Sequence, residues 1–233
     1  MGLVCDGTVR VVICSQDAPL AERLERMLRR WACGECVAIE VVCKAAPAVP
    51  ADSRTRLLFL DLDSAELPEG AMQEKGKAAL IVISRDAGRA IRSYRWHPAA
   101  FMKPDFDALR LREAMTACEG HWRQGRVCLD SPYRRRGFRL PLGQIRSVEA
   151  AAHYCLFDQK RQTVRLRFSI DELEALLPGP PFVRCHRSFL VHLDAVERMT
   201  YTTVTLRSGA ALPLGRTYVK TLREALAAWR EGE

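Results

Sequence analysis

The segment with the clearest chemical potential lies at residues 182–193 and reads FVRCHRSFLVHL. Arg184, His186 and Arg187 stand beside the hydroxyl of Ser188 within a frame of apolar side chains. An element that buries its apolar residues and presents such donors suits an acidic polymer, because guanidinium groups bind phosphates and base edges with paired hydrogen bonds. The residues alone leave a second interpretation open, a buried strand and turn whose arginines are solvated.

A second group of chemically suggestive residues lies in the first half of the chain, at the ends of three apolar runs. Asp61 ends LLFLD, Ser84 ends ALIVIS and Lys103 ends AFMK. A carboxylate can attack a phosphoryl group, a hydroxyl can donate a hydrogen bond to the product, and an ammonium group can neutralise its charge. These residue types indicate phosphoryl chemistry if the fold brings them together.

The elements expected to position these residues alternate between strands and helices. The run VRVVIC at 9–14 is typical of a strand buried on both faces, and apolar residues from Leu20 to Trp31 recur at helical spacing until Gly34. The pattern predicts further strands at 37–43, 57–61, 79–84 and 100–103, and helices at 87–96 and 106–122, the last with Leu109, Leu111 and Met115 inward. Such alternation predicts a parallel sheet with right-handed crossovers. The functional crevice of such a sheet lies at the carboxyl ends of its strands, where this sequence has Asp17, Asp61, Ser84 and Lys103.

The constellation of Asp61, Ser84 and Lys103-Pro104 resembles the receiver domains of response regulators. The resemblance implies a flavodoxin-like parallel sheet of five strands, with Asp61 at the phospho-acceptor position and a sensor kinase as a partner. The family holds Mg²⁺ with two adjacent acidic residues after its first strand, whereas this chain has Ser15-Gln16 there, followed by Asp17. Because Mg²⁺ is held by carboxylate oxygens, Asp17 and Asp61 are expected to bind it weakly. No other metal or cofactor is predicted.

Residues 44–56, KAAPAVPADSRTR, also depart from the receiver pattern, since two prolines interrupt the expected second helix. We therefore expect an atypical receiver-like domain over 1–122 that acts through homodimerisation rather than through standard phosphorylation. Receiver domains commonly pair through their last strands and helices, which correspond to residues 87–122 here.

Beyond a linker at 123–125 the hydrophobic period changes to two. The run TVRLRF at 163–168 alternates apolar residues with arginines, and residues 169–172 form a capping box that opens a helix to 177. The pattern predicts the other strands at 126–129, 138–141, 145–150, 154–158, 196–206 and 210–214, a basic turn at 134–137, and a final helix at 218–229.

This order of elements over 126–233, together with two motifs, resembles the LytTR family of bacterial DNA-binding domains. One motif is matched by Phe182, Arg184, His186, Arg187, Ser188, Phe189 and Val191, with His192 where the family usually has Asn, and the other by Ile145, Val148, Glu149 and Ala150. The resemblance implies a mainly β domain with a C-terminal helix that reads double-stranded DNA with loops in successive major grooves. The corresponding base contacts are His153, Tyr154, Arg187 and Arg216, and the phosphate contacts are Arg184, His186, Ser188, Thr217 and Lys220.

The distribution of charge agrees with a nucleic-acid partner. The chain of 233 residues has a net charge of +8, and residues 125–233 hold 18 lysines and arginines against 11 acidic residues. A phosphate-binding domain needs such an excess. No apolar run is long enough to span a bilayer, and the N-terminus lacks the pattern of a signal peptide. These features predict a cytoplasmic protein without a membrane partner.

Two further classes of function remain open from the residues. In a non-DNA signalling module, the receiver-like half would dock a partner protein and the basic half would bind RNA or an acidic protein. An enzyme is not predicted, because no nucleophile–histidine–carboxylate set, P-loop or dinucleotide fingerprint is visible. Nine cysteines without a secretory signal indicate reduced thiols. A redox role is a hypothesis for Cys33 and Cys36, and for Cys185, whose pKa the neighbouring Arg184 and His186 would lower.

Overall fold

The computed structural model describes residues 2–44, 54–64, 77–130, 139–159, 162–177 and 179–231. The predicted basic turn at 134–137 and most of the proline-containing segment 44–56 lie outside these residues. The chain divides into two compact units. The α/β unit comprises Cys5–Ala32 and Val37–Gly125, and the β-rich unit comprises Met1–Val4, Cys33–Cys36 and Arg126–Glu233. The domain limits expected from the sequence, 1–122 and 126–233, stay a prediction.

Up to residue 125, the described strands after the first lie at or near the apolar runs that predict them. The described strands are β1 (Gly2–Val4), β2 (Val9–Cys14), β3 (Ile39–Lys44), β4 (Thr55–Asp61), β5 (Ala79–Ile83) and β6 (Ala100–Met102). The described helices are α1 (Ala18–Gly34), α2 (Ala87–Ser93), α3 (Ala108–Ala117) and α4 (Glu119–Trp122). Asp86 caps α2 and Asp107 caps α3 by accepting hydrogen bonds from backbone amides, so the helices begin where a side chain satisfies their free N–H groups.

The sheet of the α/β unit is parallel and, over the described residues, has the strand order β3-β2-β4-β5-β6. Both of its faces are buried: Val11 and Ile13 of β2 pack in one apolar cluster, and Val12 and Cys14 pack in another on the opposite face. Continuous apolar strands are the sequence signature of this arrangement. The predicted parallel sheet of receiver type is confirmed.

Leu109 is the exception to the predicted core. Leu111 and Met115 of α3 are buried as expected, but the side chain of Leu109 is 65% exposed. The helix begins at Ala108, after the cap Asp107. Leu109 lies two residues before Leu111, about 200° around the helix axis, and is therefore outside the stripe of the helix that faces the sheet.

The β-rich unit contains the remaining described strands. They are β7 (Cys128–Asp130), β8 (Arg139–Pro141), β9 (Ile145–Ala151), β10 (Tyr154–Gln159), β11 (Thr163–Leu166), β12 (Phe182–His186), β13 (Phe189–His192), β14 (Val196–Met199), β15 (Thr203–Leu206) and β16 (Ala211–Pro213). Helix α5 spans Ile170–Leu176 and helix α6 spans Val219–Glu231. The mainly β fold with a C-terminal helix is confirmed.

The strands of this unit form antiparallel sheets, in the described ranges β11-β10-β9-β13-β12, β1-β7-β8 and β14-β15-β16. Leu190 and Val191 of β13 pack in different apolar clusters. The cluster with Leu190 includes residues of β7 and α5, and the cluster with Val191 includes residues of β15 and α6. The largest sheet is thus covered on both faces, which fixes the turns at its edges.

The single strand predicted at 196–206 is wrong, because the chain turns between β14 and β15. The hydroxyl of Thr200 accepts hydrogen bonds from the amides of Thr202 and Thr203, at 3.4 and 3.1 Å. Threonine side chains of this kind replace ladder bonds with local ones. In the segments that the structure describes, no helix is long and apolar enough to cross a membrane.

Candidate nucleic-acid interface

Two turns of the β-rich unit lie side by side at one edge of its largest sheet. The first, at 152–153, joins β9 to β10, with Ala151 paired to Tyr154. The second, at 187–188, joins β12 to β13, and β13 pairs with β9 through Phe189 and Glu149. The amide of Ala150 donates to the carbonyl of Ser188 over 2.8 Å, so the end of β9 is tied to the second turn.

A third turn, at 216–218, is attached to the same edge. The amide of Gly215 donates to the carbonyl of Cys185 in β12 over 2.9 Å. A Cβ at position 215 would lie 3.0 Å from the ring of Tyr218 and 3.5 Å from the ring of His186. Glycine thus lets the third turn approach the second closely. The structure therefore brings together the three segments that carry the predicted DNA contacts.

The strongest donors on these turns are directed to solvent. The exposed members of the predicted set are His153, Arg187, Arg216, Thr217 and Lys220. The ammonium group of Lys220 lies 3.9 Å from Glu224, and both side chains are exposed. An exposed pair of this kind contributes little and leaves the cation accessible.

His186 and Ser188 are half-buried and shape the second turn. The amide of Ser188 donates to Nδ1 of His186 over 3.2 Å. Because Nδ1 accepts, the ring proton belongs on Nε2, and this nitrogen is the donor available to a phosphate. The ring also packs against Phe189, with centroids 5.9 Å apart. Both residues can act on DNA only from within this fixed turn, and their predicted phosphate contacts stay predictions.

Tyr154 is paired with an arginine that the motif comparison did not single out. The guanidinium of Arg165 lies 3.7 Å from the centroid of the Tyr154 ring, a distance that permits a cation–π interaction. The alternation of residues 163–168 places Arg165 on the outward face of its strand, and this was the feature of the sequence that could have identified it as an interface residue. The pair adds a cation beside the first turn and covers one face of the tyrosine ring.

Arg184 is held inside the unit, and its side chain is only 15% exposed. Its Nε donates to the carbonyl of His186 at 3.3 Å, and one terminal nitrogen donates to the carbonyl of Arg187 at 2.6 Å. The other terminal nitrogen donates to Asp171 and Glu174. Burial lowers the pKa of Arg184, but hydrogen bonds to both carboxylates outweigh it and raise the pKa above its ordinary value. A phosphate contact by Arg184 stays a prediction.

The expectation that Cys185 has a lowered pKa is wrong. Its side chain is fully buried, and burial raises the pKa of the thiol to about 12. The neighbours Arg184 and His186 lie on either side of it in an extended strand, where adjacent side chains point to opposite faces. Burial also raises the pKa of Cys36 to about 12. Thiols of this kind stay protonated at neutral pH and react slowly.

The α/β unit holds the second predicted site, around Asp61. This carboxylate is 3% exposed. One oxygen accepts from the hydroxyl of Ser15 at 2.6 Å and from that of Ser64, and the other accepts from the amide of Asp63 at 2.9 Å. Ser64 is a partner that the sequence patterns did not indicate. The amide of Asp17 donates to the hydroxyl of Ser15 over 3.0 Å, but the carboxylate of Asp17 accepts from the amide of Leu20 at 3.0 Å and caps α1.

Neither Ser84 nor Lys103 forms a hydrogen bond or an ion pair with Asp61 in the described part of the chain. The hydroxyl of Ser84 donates to Asp63 over 2.6 Å, and the amide of Arg85 donates to the same carboxylate over 2.8 Å. The chain turns after Asp61, which brings the carboxylate of Asp63 within reach of Ser84. Lys103 is exposed, and within the described residues no ion pair joins it to either carboxylate.

The receiver resemblance implies Mg²⁺ at this pocket. Mg²⁺ is held by oxygen ligands, usually one or two carboxylates together with waters. The carboxylate of Asp61 accepts hydrogen bonds from two neutral hydroxyls and an amide, and none of these donors adds a second carboxylate. No cluster of three or more potential metal-binding residues occurs among the described parts of the chain. The weak Mg²⁺ site at Asp17 and Asp61 stays a prediction.

Comparison with known proteins supports both units. The family model of the LytTr DNA-binding domain matches residues 135–227. An uncharacterized response regulatory protein of Yersinia pestis is 24% identical over 249 residues, covering 94% of this chain and 98% of its own. The transcriptional regulatory protein YpdB of Escherichia coli is 21% identical over 199 residues, covering 75% of this chain and 81% of its own.

Solved structures match each half separately. The LytTr DNA-binding domain of a Bacillus cereus response regulator is 25% identical and covers 43% of this chain and 95% of its own, with a TM-score of 0.37. A CheY-like response regulator of Mesorhizobium loti is 20% identical and covers 48% of this chain and 99% of its own, with a TM-score of 0.41. The family match lies in the unit that carries the three turns, and the alignment with a response regulatory protein runs along nearly the whole chain. Residues 135–227 therefore match the LytTr DNA-binding domain family, and the chain as a whole is similar to a response regulatory protein.

Proposed function

We propose that this protein regulates transcription by binding double-stranded DNA sequence-specifically through the three turns of its β-rich unit, without catalysing a reaction. The observation that carries the proposal is the convergence of 152–153, 187–188 and 216–218 at one edge, with His153, Arg187 and Arg216 exposed there. Arginine reads guanine in the major groove with two hydrogen bonds, and the groove admits turns of this size.

The direct test is selection of bound fragments from a random duplex library with the purified protein. We expect a motif of two short direct repeats about one helical turn apart, because two β-rich units bound in the same orientation on one face of the duplex contact equivalent half-sites one turn apart. Recovery of no motif, with tighter binding to RNA than to any duplex, would contradict the proposal and favour the RNA-binding alternative.

Lys220 is expected to contribute to affinity but not to sequence preference. It is exposed near the start of α6, where a cation can pair with phosphate. Lys220→Ala should weaken binding to selected and scrambled duplexes alike, and should reduce the slope of log affinity against log salt by about one. Titrations by fluorescence anisotropy at several salt concentrations measure both. A loss confined to the selected duplex would instead assign Lys220 to base reading.

The proposed role of the α/β unit is self-association. Helix α2 and helix α3 precede and follow the edge strand β6 along the chain, and Ile91 of α2, Tyr94 just after α2 and Leu109 of α3 are exposed apolar side chains. Exposed apolar surface of this kind can mark an interface. The resemblance to receiver domains implies pairing through the same elements. A dimer would raise the affinity for a repeated site through effective concentration.

Ile91→Glu combined with Leu109→Glu is therefore expected to weaken self-association of the full chain by about tenfold or more, equivalent to at least about 1.4 kcal/mol. Both side chains are mostly exposed, at 68% and 65%, so the fold should tolerate the changes. Analytical ultracentrifugation measures the dissociation constant. Tyr201→Glu is the matched control, since Tyr201 is 75% exposed but lies in the β-rich unit. If the Ile91→Glu, Leu109→Glu protein sediments like the wild type and the control, the interface lies elsewhere or the chain is a monomer.

A further inference from the structure

Arg184 contacts the turn that presents Arg187. Its guanidinium donates to the carbonyls of His186 and Arg187, at 3.3 and 2.6 Å. These are backbone groups of the second turn, so the bonds constrain the path of the chain at the residue predicted to read a base. The guanidinium also lies 6.0 Å from the ring centroid of Tyr218 in the third turn. One buried cation thus touches two of the three turns.

The other side of the guanidinium is held by helix α5. Asp171 and Glu174 accept from the same terminal nitrogen, the latter at 2.8 Å. The start of this helix is fixed by a capping box between Ser169 and Glu172. A planar guanidinium with donors on both sides can join fixed carboxylates to fixed carbonyls, which a lysine ammonium cannot do in the same geometry.

Asp171 and Glu174 need an explanation on a surface that is proposed to bind DNA. Both side chains are exposed, and a carboxylate repels phosphates and so weakens binding to any sequence. Their bonds to Arg184 offer a compensating advantage. A base reader must be held within a fraction of an ångström to keep its hydrogen bonds, and a fixed supporting residue supplies that precision.

We propose that Arg184 is a positioning residue for DNA reading, clamped between Asp171 and Glu174 on one side and the turn at 187–188 on the other. The inference rests on the proposed DNA-binding function and reassigns Arg184 from phosphate contact to support of Arg187. The proposal predicts that removal of two negative charges beside the DNA reduces affinity for the preferred sequence, although charge repulsion alone would predict an increase.

The test compares three full-length variants with the wild type. Asp171→Asn with Glu174→Gln removes the carboxylates that hold Arg184. Arg184→Lys keeps the positive charge but removes the planar guanidinium that donates to both the carboxylates and the carbonyls. Glu224→Gln with Glu231→Gln is the matched control, because it neutralises two exposed carboxylates of α6, which accept no hydrogen bond from Arg184. Affinity is measured for a duplex selected by the wild-type protein and for its scrambled counterpart, and amide hydrogen exchange is measured without DNA.

We expect Asp171→Asn with Glu174→Gln, and Arg184→Lys, to lose about tenfold in affinity for the selected duplex, while binding to the scrambled duplex is unchanged or tighter. The control should bind both duplexes somewhat more tightly. Exchange in a peptide covering 186–189 should accelerate in the first two variants and not in the control, with thermal unfolding unchanged.

Two results would overturn the inference. The first is tighter binding of both duplexes by Asp171→Asn with Glu174→Gln, as in the control, since the carboxylates would then act only as charges. The second is unchanged exchange at 186–189, because a clamp must restrain the turn in the free protein. If the wild type selects no duplex, the proposed function fails, and the exchange measurement alone still decides whether the clamp exists.

Discussion

Arg187→Ala and Arg216→Ala should each reduce affinity for the selected duplex by about 1–3 kcal/mol and relax the sequence preference at one base pair. Both side chains are exposed, on turns that the hydrogen bonds at Ser188 and Gly215 fix at one edge of the sheet. An arginine so placed can form two hydrogen bonds with a guanine, and alanine leaves the base without a partner. The loss should be confined to duplexes that carry the preferred base, because the wild-type protein already binds duplexes with another base at that position more weakly.

Binding to a panel of duplexes with single base changes measures the effect. For each variant, the penalty for one particular base change should shrink towards zero, while the penalties at other positions persist. Arg198→Ala is the control, since Arg198 is an exposed arginine of the same unit that lies in β14 and outside the three turns. Equal losses for all three variants on every duplex would show that Arg187 and Arg216 supply charge only.

The second large effect is expected in the pocket of the α/β unit. Ser15→Asp with Gln16→Asp should destabilise that unit by about 3 kcal/mol without Mg²⁺, because it removes a hydrogen bond to a buried carboxylate and brings like charges together. Ser15 is itself buried, and its hydroxyl lies 2.6 Å from Asp61. Mg²⁺ should then stabilise the variant by mass action, since the new carboxylates supply the charge that the native pocket lacks.

Urea unfolding of the full chain with and without millimolar Mg²⁺ tests this expectation. The rings of Trp31 and Trp122 pack 4.9 Å apart in the α/β unit and report its unfolding by fluorescence. Ser15→Ala is the matched control, because it loses the same hydrogen bond without adding charge, and it should be destabilised but indifferent to Mg²⁺. The stability of the wild type should also be independent of Mg²⁺. Asp61→Asn should leave the affinity for DNA unchanged. A wild type stabilised by Mg²⁺, or phosphorylated at Asp61, would show that the pocket is competent as it stands.

Much of the fold could be predicted from local patterns. Continuous apolar runs such as residues 9–14 predict strands buried on both faces, and the structure places β2 there, in a parallel sheet. The alternating run at 163–168 predicts a strand of the antiparallel half, and β11 lies within it. These predictions hold because the period of side-chain burial follows directly from backbone geometry.

Predictions failed where a local pattern admits two outcomes. Leu109 lies two residues before Leu111, which is about 200° around the helix axis, so it faces away from the buried side of Leu111 and Met115. Residues 196–206 have the composition of one strand, but hydrogen bonds to Thr200 divide them. The first prediction neglected the angular spacing of a helix, and the second neglected local turn bonds that compete with a strand.

The sequence by itself determined the two fold classes, the family motif and the residue types that can bind DNA. The loss of an acidic pair at Ser15-Gln16 was also visible there. The tertiary structure decided which partners these residues have. Arg184 donates hydrogen bonds to Asp171 and Glu174. Ser84 donates to Asp63 rather than to Asp61. Cys185 is buried, and this burial raises its pKa. Hydrogen bonds and desolvation depend on atoms that meet only after folding, and no spacing along the chain specifies them.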